Sequence, residues 1–206
     1  MQRFQPMQDQ NNQPTSHLAF IQGRVSIPAK YLAEPAPDEE QLRQIISAGV
    51  AAPDHAAMRP WRFIAIRGEA RTALGDVFIE AARSREPDMD AEKLKRTGEK
   101  PLRSPLILTV VATLTPDHPK TPEVEQILSA GAAAQQMLLA ANALGFGAVW
   151  LTGPNAEAPE VKQALGIDEK DTIVGFLYMG TSTIKTPKPA RPDVDAHLTF
   201  WRETTA

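Results

Sequence analysis

The chain has 206 residues, no cysteine, a formal charge of −3, 42% hydrophobic and 23% charged residues. That length suits one ordinary domain with its own core, and the composition is globular rather than disordered or fibrous. The missing cysteines exclude disulfides, thiolate metal sites and a cysteine nucleophile; the mixed charge gives no nucleic-acid footprint, and no apolar run approaches the ~18 residues of a membrane span.

Residues 1–17 are rich in Gln and Asn and lack the apolar segment of a signal peptide. They are read as a mobile polar tail, with residues 18–206 as a single domain. With no export signal, a cytoplasmic protein is expected.

Asp38 is a good N-cap, and Gln41 can complete a capping box. Leu42, Ile45, Ile46, Gly49 and Val50 then follow the spacing of a core-facing helical stripe, which Pro53 stops. Trp61–Arg67 reads as a strand from its aromatic and β-branched density. A helix over residues 69–83 follows, with Leu74, Val77 and Phe78 on one face. Residues 85–104 are charged and carry two prolines, so a loop and a loose surface helix both remain open.

Residues 106–113 form a continuous apolar, β-branched run, the pattern of a strand covered on both faces. The longest helix is expected from Thr121 to about Leu144, with Pro122 in the favoured first position and Gly145 just past the end. Its many small residues, Ala130 to Ala134 and Ala140 to Ala141, serve either helix propensity or close helix–helix contact across a dimer. A short strand (Gly147–Leu151), a short helix ended by Gly166 and an apolar strand over residues 172–179 complete the pattern. From about residue 182 the chain turns Pro- and Lys-rich, which suggests an extended arm whose apolar segment, residues 197–201, docks on something. Irregular alternation of strands and helices favours an α+β fold over a doubly wound sheet.

Four scattered histidines make no metal site. No Ser sits in G-x-S-x-G, and Gly145-Phe146-Gly147 precedes a strand and lacks the third glycine, so it is no dinucleotide fingerprint. Three segments remain. Arg24 and Ser26, with Lys30 beyond, can clamp a terminal phosphate, although such clusters are usually solvated surface. Residues 52–61, A-P-D-H-A-A-M-R-P-W, make a rigid polar connection around His55, either a binding loop or an ordinary helix–strand link. Residues 147–153 end a strand in a Gly turn, where Gly153 would let a planar ligand approach the backbone.

Together R-V-S, E-P-A-P-x-x-E-Q-L, A-P-D-H-x-x-M-x-P-W, A-L-G-F-G-A-V-W, I-V-G-F-L-Y-M-G-T and the basic arm resemble the nitroreductase family, especially its short bacterial branch. The likeness runs from about Ile21 to Arg191. It implies an α+β fold with a mixed β-sheet flanked by helices, an intertwined homodimer, and FMN bound non-covalently at each of two interface sites. It implies a phosphate held by Arg24, Val25, Ser26, Lys188 and Arg191. It implies flavin contacts from the loop carrying His55, often across the dimer, and from Trp150, Leu151, Thr152 and Gly153. The activity implied is transfer of electrons from NAD(P)H to nitroaromatic or quinone-type acceptors. No side chain need act as a general acid there, so no catalytic residue is named and no metal is expected. Another reaction on the same site, and a flavin-binding protein without turnover, are the other readings.

The sequence departs from the commoner family pattern at Asp54, Ala57 and Arg59, and Val25 replaces a second Arg. The segment after Met89 is too brief to build the helical cover of larger relatives, which implies an open site.

Overall fold

The computed structural model describes residues 16–201, in two compact units: residues 26–186, and the two chain ends around residues 16–25 and 187–201. The expected polar tail up to residue 15 lies outside the described residues.

In the larger unit, β1 (Leu32–Ala33) leads into α2 (Glu39–Gly49), β2 (Trp61–Arg67), α3 (Ala70–Arg85) and α4 (Ala91–Gly98). Then follow β3 (Leu106–Ala112), α5 (Glu123–Ala143), β4 (Gly147–Leu151), α6 (Pro159–Ala164) and β5 (Thr172–Ser182). The smaller unit holds α1 (Ser16–Gly23).

The α2 start is as the sequence dictates: Asp38 Oδ1 accepts from the Gln41 backbone N–H at 2.8 Å, and the Gln41 side chain accepts from the Asp38 N–H at 3.0 Å. Helix α5 begins at Glu123, with Pro122 as its N-cap rather than its first turn. It ends at Ala143 with Leu144 as its C-cap, and Gly145 just beyond has a φ of 86°, which suits glycine without strain. The 85–104 segment resolves into α4 followed by a 3-10 turn, Lys100–Arg103. Asp90 caps α4 by accepting from the Lys93 N–H at 2.9 Å. A Cβ on Gly75 would stand 2.3 Å from the Gly98 carbonyl oxygen. Helix α4 therefore seats backbone to backbone on α3, an approach that propensity along either segment does not reveal.

The sheet has the order β1-β5-β3-β2, with β4 also paired to β5. Every pairing among the described residues is antiparallel, so within this chain the sheet is antiparallel and not mixed. The cause is topological: β2 and β3 are neighbours joined through α3 and α4 yet run in opposite directions, and β4 returns through α6 onto β5.

β3 is buried at every position, because helices cover both faces. On one face Leu106, Leu108, Val110, Leu177 and Met179 pack with Ile45 of α2 and Ala134, Met137, Leu138 and Ala141 of α5. The buried small residues of α5 thus serve this chain's own core. On the other face Phe176 meets Phe78 of α3 edge to face, with centroids 5.7 Å apart.

Two buried polar residues hold loops rather than ligands. Gln126 accepts from the Thr115 N–H at 2.8 Å and donates to the Thr115 and Thr121 carbonyls at 3.0 and 2.9 Å. Asp171 accepts from the Leu114 N–H at 2.8 Å.

Gly75→Ala should force α4 off α3. Overpacking of this kind costs about 1–3 kcal/mol, expected as a lower urea midpoint with an unchanged slope; a midpoint equal to the parent's would show that the two helices do not meet here.

Candidate functional site

β4 and its following turn organise the site. Strand alternation sends Val149 and Leu151 to one side and Trp150 to the other. The Trp150 indole lies over Gly175, where a Cβ would fall 2.1 Å from Nε1, and Nε1 donates to the Val174 carbonyl at 3.2 Å. Of the four strand-end residues singled out in the sequence, Leu151, Thr152 and Gly153 line a pocket and Trp150 packs on β5 instead. Gly153 has φ 101°, a conformation that side chains rarely adopt, and an added Cβ would meet nothing within 4 Å. The turn therefore offers bare backbone to an occupant.

That pocket, about 360 Å³, is lined by Phe78, Phe176, Leu151 and Pro154 and by polar groups from Lys100, Arg103, Thr152, Asn155 and Tyr178. Through Arg103 and Leu151 it adjoins a second hollow of about 570 Å³, lined by Ser26, Pro28, Ala29, Lys30, Arg103, Val149 and Leu151. The two lobes share Arg103 and Leu151 along this groove, and each is of the size that takes a small ligand. Ser26 and Lys30 sit at one end and the Thr152–Gly153 turn at the other. Lys30 also rests on the Tyr31 ring, 4.8 Å from its centroid.

The charged and hydrogen-bonding side chains of the groove are mostly donors. No carboxylate lines either lobe, and among the described residues neither Lys100 nor Arg103 forms an ion pair. Burial, with Arg103 and then Arg85 adding to it, pulls the Lys100 ammonium below its ordinary range. Burial pushes the Tyr178 phenol up to about 12, with Arg103 acting in the opposite sense. The lining is thus short of negative charge. An anion, or a ring edge rich in acceptors, would relieve it.

Lys100, Arg103 and Tyr178 were not named as site residues from the sequence, although Tyr178 stands in the I-V-G-F-L-Y-M-G-T segment. The first two sit in a charged stretch that reads as solvated surface; the turn that carries them packs against α3 and α4, which leaves Lys100 half-buried and Arg103 exposed at the rim of the hollow. Tyr178 did carry a signal: it is the one hydroxyl in the run from Ile173 to Met179, two residues from Phe176 and so on the same face.

The wall is fixed from behind. Arg85 Nη2 donates to Asn155 Oδ1 at 3.0 Å, tying the end of α3 to the turn after β4.

The His55 loop lies apart, since none of its residues lines the groove. His55 Nδ1 is 2.6 Å from Glu125 Oε2 in the first turn of α5. Ala56, Ala57 and Arg59 have φ of 62°, 53° and 51°, left-handed values that cost about 1 kcal/mol or more for a residue with a side chain. Asp54 holds the loop by accepting from the Arg59 N–H at 2.6 Å, while its buried Oδ1 has no hydrogen-bond partner among the described residues.

The chain ends form their own unit. The Arg191 guanidinium donates to the Gln22 carbonyl from Nε at 3.2 Å and from Nη2 at 2.7 Å, and Nη2 also donates to the Arg24 carbonyl. Arg191 therefore grips the backbone that carries Arg24 and Val25. Lys188 is exposed. Strand β5 runs to Ser182, so the expected arm from about residue 182 begins later, with the chain-end unit resuming at Pro187. His17, read as tail, lies in α1.

No group of metal-ligating residues is found among the described residues, and no helix there is long and apolar enough to cross a membrane.

The sequence profile of the nitroreductase family matches residues 21–181. An Escherichia coli (strain K12) protein, "Putative NAD(P)H nitroreductase YdjA", is 43% identical over 174 residues, covering 84% of this chain and 93% of that one. A Haemophilus influenzae protein, "Putative NAD(P)H nitroreductase", is 36% identical over 162 residues, covering 79% and 87%. Among solved structures, a nitroreductase-like family protein from Bacillus cereus superposes with a TM-score of 0.79 at 23% identity, over 93% of this chain and 99% of that one. A Desulfovibrio desulfuricans protein, titled as a putative nitroreductase in complex with FMN, gives 0.70 at 26% identity, over 93% and 100%. With a profile match across most of its length and relatives at this identity, the chain belongs to the nitroreductase family.

Proposed function

We propose that the protein is an FMN-dependent oxidoreductase that passes electrons from NAD(P)H to small electron-poor acceptors such as nitroaromatics or quinones, and that it works as a homodimer. The observation that carries this reading is the pair of adjoining lobes, one with Ser26 and Lys30, the other with bare turn backbone, and neither lined by a carboxylate. That lining fits FMN, which ends in a phosphate and carries acceptor atoms along one ring edge. The name of the E. coli relative and the FMN complex of the D. desulfuricans protein support the assignment.

Bound FMN would supply the hydride and electron chemistry, while the protein supplies orientation and electrostatics. Ser26 and Arg24, with Val25 between them, would hold the phosphate. Lys188 and Arg191 are the further phosphate contacts that the family resemblance implies, and Arg191 holds the Arg24 carbonyl. Leu151, Thr152 and Gly153 would lie along the ring. Trp150 would contribute by fixing β4 against β5 rather than by touching the ring. The strained His55 loop would reach the partner's flavin. Left-handed residues and an unsatisfied buried carboxylate fit a loop whose environment is completed by another chain. Exposed Val124 and Leu128 on α5 are apolar surface of the kind a dimer covers. The reading places the protein in the cytoplasm, where the pyridine nucleotides are.

The decisive experiment is to release and identify any bound flavin chromatographically, then follow NADH and NADPH oxidation with and without a nitroaromatic or quinone. FMN and acceptor-dependent oxidation are expected. FAD as the sole flavin would overturn the cofactor assignment, and FMN without oxidation would leave a flavin carrier.

Arg24→Ala should weaken FMN binding about ten- to a hundred-fold, the worth of a charge-assisted bond to phosphate. An unchanged dissociation constant would remove Arg24 from the site.

Solution mass at low micromolar concentration should be twice the chain mass. A stable flavin-loaded monomer would contradict the shared site.

A further inference from the structure

His55 and Glu125 stand 70 residues apart in sequence, yet the imidazole Nδ1 lies 2.6 Å from the carboxylate Oε2. Both side chains are about half-exposed. An ion pair that open adds little to stability, because solvent and salt screen it. What it provides is direction. An ionised carboxylate only accepts, so the proton of this bond sits on Nδ1, and the neutral ring keeps a bare acceptor at Nε2. His118 shows the opposite arrangement. Its Nδ1 accepts from the backbone N–H groups of Thr121 and Lys120 at 3.0 and 3.4 Å, which leaves the proton of the neutral ring on Nε2.

The loop that carries His55 needs holding. Its three left-handed residues, Ala56, Ala57 and Arg59, persist only where their surroundings over-determine them. Asp54 fixes the loop from within, through the Arg59 N–H. Glu125 fixes it from outside, and does so from a rigid base. The next residue, Gln126, is fully buried and ties the start of α5 to Thr115 and Thr121 by three backbone bonds. His55 lines neither lobe of its own chain's groove. The ring is therefore oriented toward no group in that groove.

We propose that Glu125 is the positioning residue of this loop: by accepting from His55 Nδ1 it fixes ring form and loop together, and presents Nε2 as a hydrogen-bond acceptor to the flavin of the partner protomer. The inference rests on the reading above that this loop reaches that flavin. It adds which part of the flavin is met. An acceptor at Nε2 pairs with an N–H or O–H group, which FMN carries on its pyrimidine ring and its ribityl chain. The phosphate, itself an acceptor, is excluded as its partner.

Heteronuclear NMR of the imidazole nitrogens in mildly alkaline buffer, where a histidine ring is ordinarily neutral, reads the ring form directly and needs no flavin. Wild-type His55 should be in the Nδ1–H form, opposite to His118, and Glu125→Leu should lose that preference; His55→Ala identifies the signal. On the flavoprotein, Glu125→Leu should weaken FMN binding about three- to tenfold, the worth of one hydrogen bond. In a His55→Ala background it should add nothing, because a residue that acts through another is silent once that one is gone. Glu125→Gln keeps an acceptor but can also donate, so it should lie between.

An unchanged ring form in Glu125→Leu would overturn the proposal. So would an unaltered FMN affinity, or an equal loss of affinity with and without His55. A wild type that takes up no flavin, its ring form still set by Glu125, would overturn the flavin reading and with it the destination of Nε2. Circular dichroism checks that each variant folds, and Glu125→Gln carries the test if Glu125→Leu does not.

Discussion

Strand β5 is the constraint on which the larger unit depends. It is hydrogen-bonded to β3 along one edge and to β4 along the other, and its far end also carries β1. Its two faces have separate tasks. Leu177 and Met179 close the core against α2 and α5, while Phe176 and Tyr178 form the floor of the groove. A slip of one residue would exchange these sets, putting a phenol into the core and two aliphatic side chains on the groove floor. Register and site chemistry are therefore specified together. The pairing of Leu106 with Met179, continuing to Thr109 with Phe176, secures both.

Much of the fold could be read from local rules. The capping box at Asp38, the apolar run of β3 and the left-handed glycine after α5 each act within a few residues of themselves, and each stands where the rule puts it. The region between α3 and β3 resisted because its determinants are tertiary. Helix α4 has eight residues, several of them charged, and its position depends on Gly75 meeting Gly98 across 23 residues of sequence (98 − 75). The sheet's direction was likewise a matter of topology, which motif resemblance described only loosely.

The site divides along the same line. Gly153 and its neighbours were legible as the lining of a hollow, because a glycine ending an apolar strand marks an open turn locally. Trp150 was grouped with them by position in a motif, whereas the two-residue period of a strand separates it from Leu151. Arg191 was legible as a cation but not as a brace, since carbonyls at Gln22 and Arg24 leave no mark in sequence. Lys100 and Arg103 reach the groove through packing that no single segment encodes.

The seating of Trp150 has an optical consequence. Its indole is held by a hydrogen bond to Val174 and by the bare backbone of Gly175, so its transition dipole has a fixed direction relative to the sheet. It is also joined directly to Leu151, a residue common to both lobes of the groove. A yellow chromophore lying there would draw excitation from this indole at short range and constant orientation. Partial quenching of the indole emission, the share that Trp150 contributes among three tryptophans, is therefore expected when such a chromophore occupies the groove.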